Sequence, residues 1–320
     1  MPRVVVARDY GEAEVLGVVK VPTTPVGAGE ARVRIMAAGV NPIDWKQYAP
    51  AFYGGDRDRL PLRLGSEAAG VVVDAAYGAT GPAGLVRTGD EVIVFPVGGA
   101  YASEVTVSAA ALVPKPAEMT WEQAASLMLA GTTAMHAVVA ARLRKDETVL
   151  VHAAAGGVGQ MLCQIAAAWG VKVIGTARER DHEMLRGWGV VPVMFGDGLA
   201  DRVRKLAAAA GGVDAAIDLI GTREAVEVSN GCLRDSDRLL STVHNDVTSE
   251  LGVRVIGGVG PDHGNDIRMT ARSELVALVE RGQLQVNVTQ TFALDDVADA
   301  HRKSRSGSAQ GKLVLLPEHG

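Results

Sequence analysis

The residues whose types and spacing most clearly suit a ligand lie between Thr148 and Arg180, in the stretch TVLVHAAAGGVGQMLCQIAAAWGVKVIGTARER. Thr148–Val151 is a short, β-branched apolar run, typical of a strand buried on both faces. Small residues follow it at once, and an apolar pattern of helical period comes next. A second apolar run, Val171–Thr176, ends in polar residues. The stretch therefore predicts a strand, a glycine turn, a helix and a second strand.

The spacing Ala153-x-x-Gly156-x-x-Gly159 predicts a turn that binds the pyrophosphate of a dinucleotide. Backbone N–H groups at the start of a helix point at an anion, the helix dipole adds attraction, and side chains there would block close approach. Alanine stands where the usual fingerprint has its first glycine, and a merely structural turn is the alternative. The expected contacts are Ala153, Gly156, Gly157, Val158 and Gly159.

The end of the second strand indicates which dinucleotide binds. An NAD site places Asp or Glu there to bind the ribose hydroxyls, whereas this strand ends at Thr176 and is followed by Arg178 and Arg180. Two guanidinium groups suit a phosphate on the ribose. We therefore expect NADPH, with Thr176, Arg178 and Arg180 as contacts. An exposed basic start to the next helix is the alternative, and Glu179 leaves NAD open.

Bulk composition excludes several classes of partner. The net charge of −5 argues against nucleic acid, because phosphate binding needs a basic surface. The only cysteines, Cys163 and Cys232, can form neither a disulfide framework nor a four-cysteine zinc site, which fits a reducing cytoplasm. We see no signal sequence and no apolar run of transmembrane length, so we expect no membrane partner and a cytoplasmic location.

The chain alternates between two kinds of secondary-structure pattern. Residues 1–119 contain short strand-like runs separated by Gly, Pro and Asp turns, which predicts an antiparallel β domain. A capping box at Thr120 and Gln123 opens a helical region. Strands and helices then alternate up to residue 257, which predicts a doubly wound parallel sheet of six strands.

The tail, residues 258–320, predicts a return to the first domain. A helix over 266–281 ends at Gly282, a strand covers 285–292, and a short helix opens at Asp295. Lys312–Leu316 is the last predicted strand. We therefore expect one domain from residues 1–119 and 258–320, and a dinucleotide-binding domain from residues 120–257.

Five motifs in order along the whole chain resemble the medium-chain dehydrogenase/reductase superfamily, and within it the zinc-independent, zeta-crystallin-like quinone oxidoreductases. They are AGVNPID at 38–44, GSEAAGV at 65–71, GDEV at 89–92, HAAAGGVG at 152–159 and GKLVL at 311–315. The resemblance implies an α/β fold in which a GroES-like β domain joins a Rossmann dinucleotide-binding domain. It also implies a homodimer, for which the edge of the sixth nucleotide-domain strand is suited.

The resemblance implies chemistry without a metal. Alcohol dehydrogenases of the superfamily hold catalytic zinc with a Cys near the position of Asn41 and a His at the position of Ser66, and catalytic zinc needs three good protein ligands. We therefore expect no metal and an NADPH-dependent reductase that transfers hydride to a quinone or an α,β-unsaturated carbonyl, whose electrons delocalise onto a distant oxygen. The alternatives are a dedicated enoyl reductase of a biosynthetic pathway and a non-catalytic NADPH-binding protein of the same fold.

Three residues of the first domain are candidates for catalysis. Asn41 is implied to lie near the nicotinamide, although an Asn before Pro is also a common turn residue. Lys46 could stabilise enolate charge, with Asp44 as its partner, or it could be a solvated lysine. Tyr53 could donate a proton or stack on the substrate, as could Tyr48.

Further cofactor contacts are expected from the ends of strands and from the resemblance. Gly221 and Thr242 follow predicted strands at the carboxyl edge where open sheets bind ligands. Thr132 and Thr133 lie on a helix expected to approach the cofactor, and His136 one turn later is as well explained as a packed histidine. The resemblance adds Asn41 itself, Lys312 and the segment 257–260 with Gly258.

Overall fold

The computed structural model describes residues 1–50, 55–257 and 262–317. It divides into two compact units, one formed by Met1–Leu129 with Val286–Gly320 and the other by Ala130–Gln285. None of the described helices is long and apolar enough to span a membrane.

The first unit begins with short strands and two short helices. In chain order they are β1 (Arg3–Ala7), β2 (Leu16–Lys20), β3 (Glu30–Val40), α1 (Pro42–Lys46), β4 (Leu62–Arg63), β5 (Ala68–Ala75), β6 (Thr80–Gly81), β7 (Gly84–Leu85), β8 (Glu91–Val94), β9 (Glu104–Ser108), β10 (Leu112–Pro114) and α2 (Trp121–Ala124).

The middle of the chain alternates helices and strands. Its elements are α3 (Met128–Ala140), β11 (Thr148–His152), α4 (Gly157–Ala168), β12 (Lys172–Thr176), α5 (His182–Gly187), β13 (Val191–Val193), α6 (Leu199–Ala210), β14 (Ala215–Asp218), α7 (Arg223–Asn230), β15 (Leu239–Ser241), α8 (Asp246–Glu250), β16 (Arg254–Val255) and α9 (Asn265–Glu280). The tail adds β17 (Val288–Ala293), α10 (Val297–Arg305) and β18 (Lys312–Leu316).

The large sheet of the first unit has the order β10-β8-β5-β3-β18-β17, with β9 paired to the first half of β3. Neighbouring strands are antiparallel except β17 and β18. The tail thus returns to the first domain as expected, because β18 pairs with the second half of β3, where Leu313 lies opposite Val40. Alternate side chains of β3, such as Val33 and Ile35, are buried in the core.

The second unit contains a parallel sheet with the order β13-β12-β11-β14-β15-β16. The first strand, β11, lies in the middle of this order. Strands β12 and β13 are added on one side of it and β14, β15 and β16 on the other, which is the doubly wound Rossmann topology. Every residue of β11 is buried, as its continuous apolar run predicts. The expected fold class, a GroES-like β domain with a Rossmann domain, is confirmed.

The domain boundaries differ from those expected at residues 119/120 and 257/258. Helix α2 belongs to the first unit, because the Ala125 carbonyl that follows it packs closely against Gly39 of β3. Helix α9 belongs to the second unit. Leu275 fills the space over Gly131 of α3, and the Arg268 guanidinium donates to the Thr133 hydroxyl at 2.7 Å.

Candidate active site

The turn after β11 has the backbone conformation that a phosphate-binding loop requires. Ala153, at the place of the first fingerprint glycine, adopts the left-handed conformation with φ +58°. Two hydrogen bonds from the end of β12 hold it, since Ala153 N donates to Thr176 Oγ1 at 3.0 Å and Ala154 N donates to the Thr176 carbonyl at 2.9 Å. Thr176, a predicted contact, therefore shapes the turn itself.

The glycines of this turn allow close packing and leave backbone donors at the helix start. A Cβ on Gly159 would lie 2.3 Å from the Ala153 carbonyl oxygen, so this position accepts only glycine. Gly156 precedes α4 and supplies no side-chain cap. The N–H groups of Gly157, Val158 and Gly159 open the helix and have no acceptor one turn earlier within it. The arrangement suits an anion.

Buried polar residues end the neighbouring strands at the same edge of the sheet. His152, Thr176, Asp218 and Ser241 are the last residues of β11, β12, β14 and β15, and all four are buried. Burial lowers the pKa of His152 to about 4, so its ring is neutral at pH 7. Its Nε2 lies 3.0 Å from Ser229 Oγ.

Asp218 organises the loops that carry two predicted contacts, Gly221 and Thr242. Its carboxylate accepts from the N–H groups of Ile220 and Gly221 at 3.0 Å and from Ser241 Oγ at 2.7 Å. Thr242 N donates to the Asp218 carbonyl at 3.0 Å. Gly221 has φ +74°, and a Cβ there would lie 2.6 Å from Val243 Cγ1. A polar residue closing an apolar strand was the signal that could have identified Asp218.

The two predicted phosphate-binding arginines lie directly after β12. Arg178 and Arg180 are exposed, and Arg180 Nε lies 4.0 Å from Asp181 Oδ1. A short 3-10 turn, Glu179–Asp181, begins after Arg178. The strand tip itself is Thr176, so uncharged and basic groups stand where an NAD site has a carboxylate.

Helix α3 presents Thr132 and Thr133 to an arginine of the same unit. Thr133 Oγ1 accepts from Arg268 Nη2 at 2.7 Å, and Arg268 Nε lies 3.5 Å from Thr132 Oγ1. His136, one turn further on, is a packed histidine with its Nε2 3.1 Å from Asp262 Oδ1. The cofactor contact expected of Thr132 stays a prediction.

Asn41 lies at the start of α1 with its amide fully engaged. Its Nδ2 donates to Glu67 Oε1 at 3.0 Å and to the Gly39 carbonyl at 3.3 Å, and its Oδ1 accepts from the Lys312 ammonium. The side chain is 2% exposed. The amide orientation is therefore set by its neighbours, and both of its protons are already donated.

Glu67 and Lys312 form a buried ion pair that the sequence did not reveal. Lys312 Nζ lies 2.9 Å from Glu67 Oε1, and Glu67 Oε2 accepts from Leu129 N at 2.8 Å. Both side chains are buried. Lys312, expected to contact the cofactor, directs its ammonium at Glu67 and Asn41, and its role toward a cofactor stays a prediction.

Lys46 differs from expectation in its partner. The Asp44 carboxylate accepts from Ser66 Oγ, Tyr101 OH and Asn41 N, and does not pair with Lys46. The ammonium lies 5.6 Å from the centre of the Trp45 ring, and partial burial lowers the pKa of Lys46. In the described part of the chain, no carboxylate lies within ion-pair distance of it.

The two tyrosine candidates have different outcomes. Tyr48 is 3% exposed and packs in the core of the first unit. The expected contact of Tyr48 with a substrate is therefore wrong, because its ring is buried. Its hydroxyl lies 2.9 Å from His301 Nδ1. Tyr53, the other candidate, and Gly258, a predicted cofactor contact, lie outside the described residues.

The positions that correspond to zinc ligands carry groups suited to hydrogen bonding. Asn41 supplies an amide bound to Glu67, and Ser66 supplies a hydroxyl that donates to Asp44 Oδ1 at 2.6 Å. Within residues 1–50, 55–257 and 262–317, no three His, Cys, Asp or Glu side chains come together as a metal-binding group. The cysteines are free, and burial raises the pKa of both Cys163 and Cys232.

Comparisons with known proteins agree with this architecture. Residues 27–117 match the family model of the alcohol dehydrogenase GroES-like domain, and residues 195–315 match the model named zinc-binding dehydrogenase. Together with the parallel nucleotide-binding sheet, these domains define the medium-chain dehydrogenase/reductase class.

Individual relatives identify the branch. A quinone oxidoreductase of Pseudomonas aeruginosa is 32% identical, over 99% of this chain and 96% of the relative. The structure of Escherichia coli quinone oxidoreductase complexed with NADPH has 28% identity and a TM-score of 0.83, over 99% of this chain and 100% of that one. The pikromycin polyketide synthase component PikAII of Streptomyces venezuelae is 31% identical over 97% of this chain, which spans 8% of that protein. The chain belongs to the quinone oxidoreductase branch of the medium-chain dehydrogenase/reductase superfamily, which confirms the resemblance.

Proposed function

We propose that the protein is an NADPH-dependent, zinc-independent reductase that transfers hydride to a quinone or an α,β-unsaturated carbonyl. The observation that carries the proposal is the turn after β11. Its left-handed Ala153 and its obligatory Gly159 bring open backbone N–H groups to the start of α4. The similar Escherichia coli enzyme, whose structure contains NADPH, supports the choice of cofactor.

The second unit offers groups suited to each part of NADPH. The N–H groups of Gly157, Val158 and Gly159 would bind the pyrophosphate, and the exposed Arg178 and Arg180 would pair with the ribose phosphate. When bound, NADPH supplies the hydride. The Asp218 carboxylate accepts a hydrogen bond from Gly221 N and so keeps Gly221 at the carboxyl edge of the parallel sheet.

The chemistry of the groups in the first unit supports the proposed zinc independence. An amide and a hydroxyl are poor zinc ligands beside thiolate and imidazole. The buried Lys312 ammonium, 2.9 Å from Glu67, would also oppose a nearby divalent cation. An acceptor that spreads its own charge onto oxygen needs no Lewis acid, and Lys46 could stabilise that oxygen.

Turnover with purified protein tests the proposal. We expect NADPH consumption with 1,4-benzoquinone or with 2-cyclohexen-1-one, unchanged by a metal chelator. Binding without consumption of NADPH would favour the non-catalytic alternative, and loss of turnover in the chelator would contradict zinc independence.

The phosphate assignment has its own test. Arg178→Ala should weaken NADPH binding by about 10- to 100-fold and leave NADH binding unchanged, because one charge-assisted hydrogen bond to phosphate is lost. Arg204→Ala, an exposed arginine on α6 with its ion pair to Asp201, is the matched control. Equal loss of NADPH and NADH affinity would show that Arg178 does not bind the ribose phosphate.

A dedicated enoyl reductase is the second candidate. The match of nearly the whole chain to a segment of a polyketide synthase component supports it. A simple enoyl thioester, assayed beside 1,4-benzoquinone, separates the two. Strong preference for the thioester would favour a biosynthetic role.

We also propose a homodimer. In the described residues, β16 pairs with β15 on one side only, so its other edge is available for a second copy. Analytical ultracentrifugation tests this, and a monomer at micromolar concentration would contradict it.

A further inference from the structure

A chain of hydrogen bonds runs through the core of the first unit and ends at Ser66. Tyr48 OH lies 2.9 Å from His301 Nδ1, and His301 Nε2 lies 3.4 Å from Tyr101 OH. Tyr101 OH donates to Asp44 Oδ2 at 2.8 Å, and Ser66 Oγ donates to Asp44 Oδ1 at 2.6 Å. All members except Ser66 are buried, whereas Ser66 is partly exposed.

The positions of the protons follow from the number of donors. Tyr101 has one hydroxyl proton and gives it to the carboxylate, so it must accept from His301 Nε2–H. His301 Nδ1 is then the acceptor for the Tyr48 hydroxyl, because a neutral imidazole has one donor and one acceptor. Burial lowers the pKa of His301 to about 4, which keeps the ring neutral. Every donor in this series of hydrogen bonds therefore points toward Asp44.

The protonation state of Asp44 decides which way the Ser66 proton points. When Asp44 is a carboxylate, Ser66 donates inward to it, and Oγ presents only lone pairs to the solvent side. When Asp44 carries a proton on Oδ1, it donates to Ser66 Oγ instead, and the Ser66 hydroxyl proton is free to point outward. The other Asp44 oxygen keeps its bonds from Tyr101 and Asn41 N.

The geometry points to Ser66, backed by Asp44, as the group that delivers the proton in the reduction; this inference rests on the proposed function. Reduction of an enone adds a hydride, which the cofactor provides, and one proton. The Ser66 O–H bond breaks as the acceptor takes its proton, and the Asp44 proton moves to Ser66 Oγ. Asp44 is left as a carboxylate, which regains a proton from the solvent by way of the partly exposed Ser66. Charge and atoms balance with one NADPH and one proton consumed.

The surroundings of Asp44 make both protonation states accessible. Its hydrogen-bond donors are all uncharged, and Glu67 is the nearby charge that opposes its ionisation. Glu67 is itself paired with Lys312. Complete burial, with Glu67 adding to it, raises the pKa of Asp44 to about 6. The residue also belongs to α1, the helix that begins after Asn41 and ends at Lys46.

The first test is Ser66→Ala with 2-cyclohexen-1-one as acceptor. We expect kcat to fall by about 100-fold or more, the usual contribution of general acid catalysis, with NADPH affinity unchanged. Ser108→Ala is the matched control, because Ser108 is an exposed serine of the same unit whose hydroxyl makes one local bond to Ala110 N. Wild-type kcat in Ser66→Ala would overturn the proposal.

The second test is Asp44→Asn, which imitates the hydrogen bonding of protonated Asp44 but has no acidic proton to give. The amide Nδ2 would donate to Ser66 Oγ permanently, while Oδ1 would accept from Tyr101 and Asn41 N. Wild-type kcat should fall as pH rises through about 6, because Ser66 then turns inward. Asp44→Asn should remove this step from the profile and also lower kcat at every pH, because an amide orients the Ser66 hydroxyl but cannot pass it a proton. A profile for the wild type that is flat in this range overturns the proposal even if neither variant folds.

Failure of the proposed function has a different outcome. If wild-type protein consumes NADPH with neither 1,4-benzoquinone nor 2-cyclohexen-1-one, the proposed function fails and the proton donor fails with it. If the wild type turns over the enone but Ser66→Ala does so equally, only the Ser66 assignment is wrong.

Discussion

The two units place their polar groups in opposite ways. In Ala130–Gln285, the groups suited to a pyrophosphate are backbone donors at one turn, and all of them come from the first residues of α4, directly after the turn that follows β11. In the other unit, the site depends on side chains brought from distant positions. Lys312 and Asn41, which contact each other, are 271 residues apart. One unit recognises a constant phosphate with local backbone, and the other assembles its polar core from long-range contacts.

The charges of the two regions differ as well. At the sheet edge of the second unit, Asp218 is surrounded by N–H and hydroxyl donors that fix the loops around it. In the first unit, Glu67 is compensated by an ammonium, while Asp44 is compensated only by neutral donors. Substitutions that displace the backbone donors of the second unit should therefore change binding, and substitutions at the buried carboxylates of the first should change stability and pH dependence.

The largest expected effect is on binding at the turn. Gly159→Ala should weaken NADPH binding by at least about 100-fold, because its Cβ would overlap the Ala153 carbonyl and displace the donors by about an ångström. Gly187→Ala, at a helical position with open space around it, is the control. Fluorescence titration measures the affinity. Normal NADPH binding by Gly159→Ala would show that the turn is not the phosphate site.

The second prediction concerns the buried ion pair of the first unit. Lys312→Met should lower the free energy of unfolding by about 3–5 kcal/mol, because Glu67 is left buried without its cation. The double variant Glu67→Gln with Lys312→Met should recover part of this loss, and Lys205→Met on the exposed side of α6 is the control. Urea denaturation measures all of them. A double variant no more stable than the single one would mean that the lysine matters for packing, not for charge.

The third prediction isolates Asp44 by comparing wild type with Asp44→Asn across pH. The native state holds the Asp44 proton more tightly than the unfolded chain, whose carboxyl has a pKa near 3.8. This stabilisation is present below that pKa and is lost as pH rises through about 6, so the wild type should lose up to about 3 kcal/mol relative to the variant.

His301 and His152 act in the opposite direction in the same range. Burial lowers the pKa of each to about 4, so their contribution to stability is lost as pH falls from about 6.5 toward 4. The wild type and Asp44→Asn both contain these histidines, so the contribution of the histidines cancels in the difference between their free energies of unfolding. A difference between wild type and Asp44→Asn that is independent of pH would contradict the third prediction.

The smallest expected effect is at Ala153. Glycine tolerates the left-handed conformation, so Ala153→Gly should raise the free energy of unfolding by about 1 kcal/mol or less and keep NADPH affinity. The neighbouring substitution Ala155→Gly should instead lower stability, because its backbone does not need a positive φ. Thermal denaturation measures the stability of both variants against the wild type. Destabilisation by Ala153→Gly would mean that the alanine methyl contributes packing that outweighs the strain.

Sequence patterns predicted what depends on nearby residues. The turn, its flanking strands and the Thr120–Gln123 capping box are local, and all are present. The parallel sheet followed from the alternation of elements. The tail was predicted to return because it has strands of its own outside the nucleotide-binding sheet, and β18 does pair with β3.

The errors came from contacts between distant residues or from spacing on a helix. Asp44 was expected to pair with Lys46, but residues two apart on a helix face different directions, and Asp44 faces Ser66 and Tyr101. Tyr48 was expected near the substrate, but His301, 253 residues later, holds it in the core. No local pattern marks the Glu67–Lys312 pair, because each residue is ordinary in its own segment.

The insertion of β18 beside β3 has a consequence for how the chain forms during synthesis. The nucleotide-binding unit is continuous in sequence and can complete itself as soon as residue 285 has left the ribosome. The β domain cannot, because the second half of β3 lacks its neighbour and Glu67 lacks its ammonium until β18 has emerged. A released chain that stops shortly before residue 312 should therefore contain one protease-resistant domain and one protease-sensitive domain.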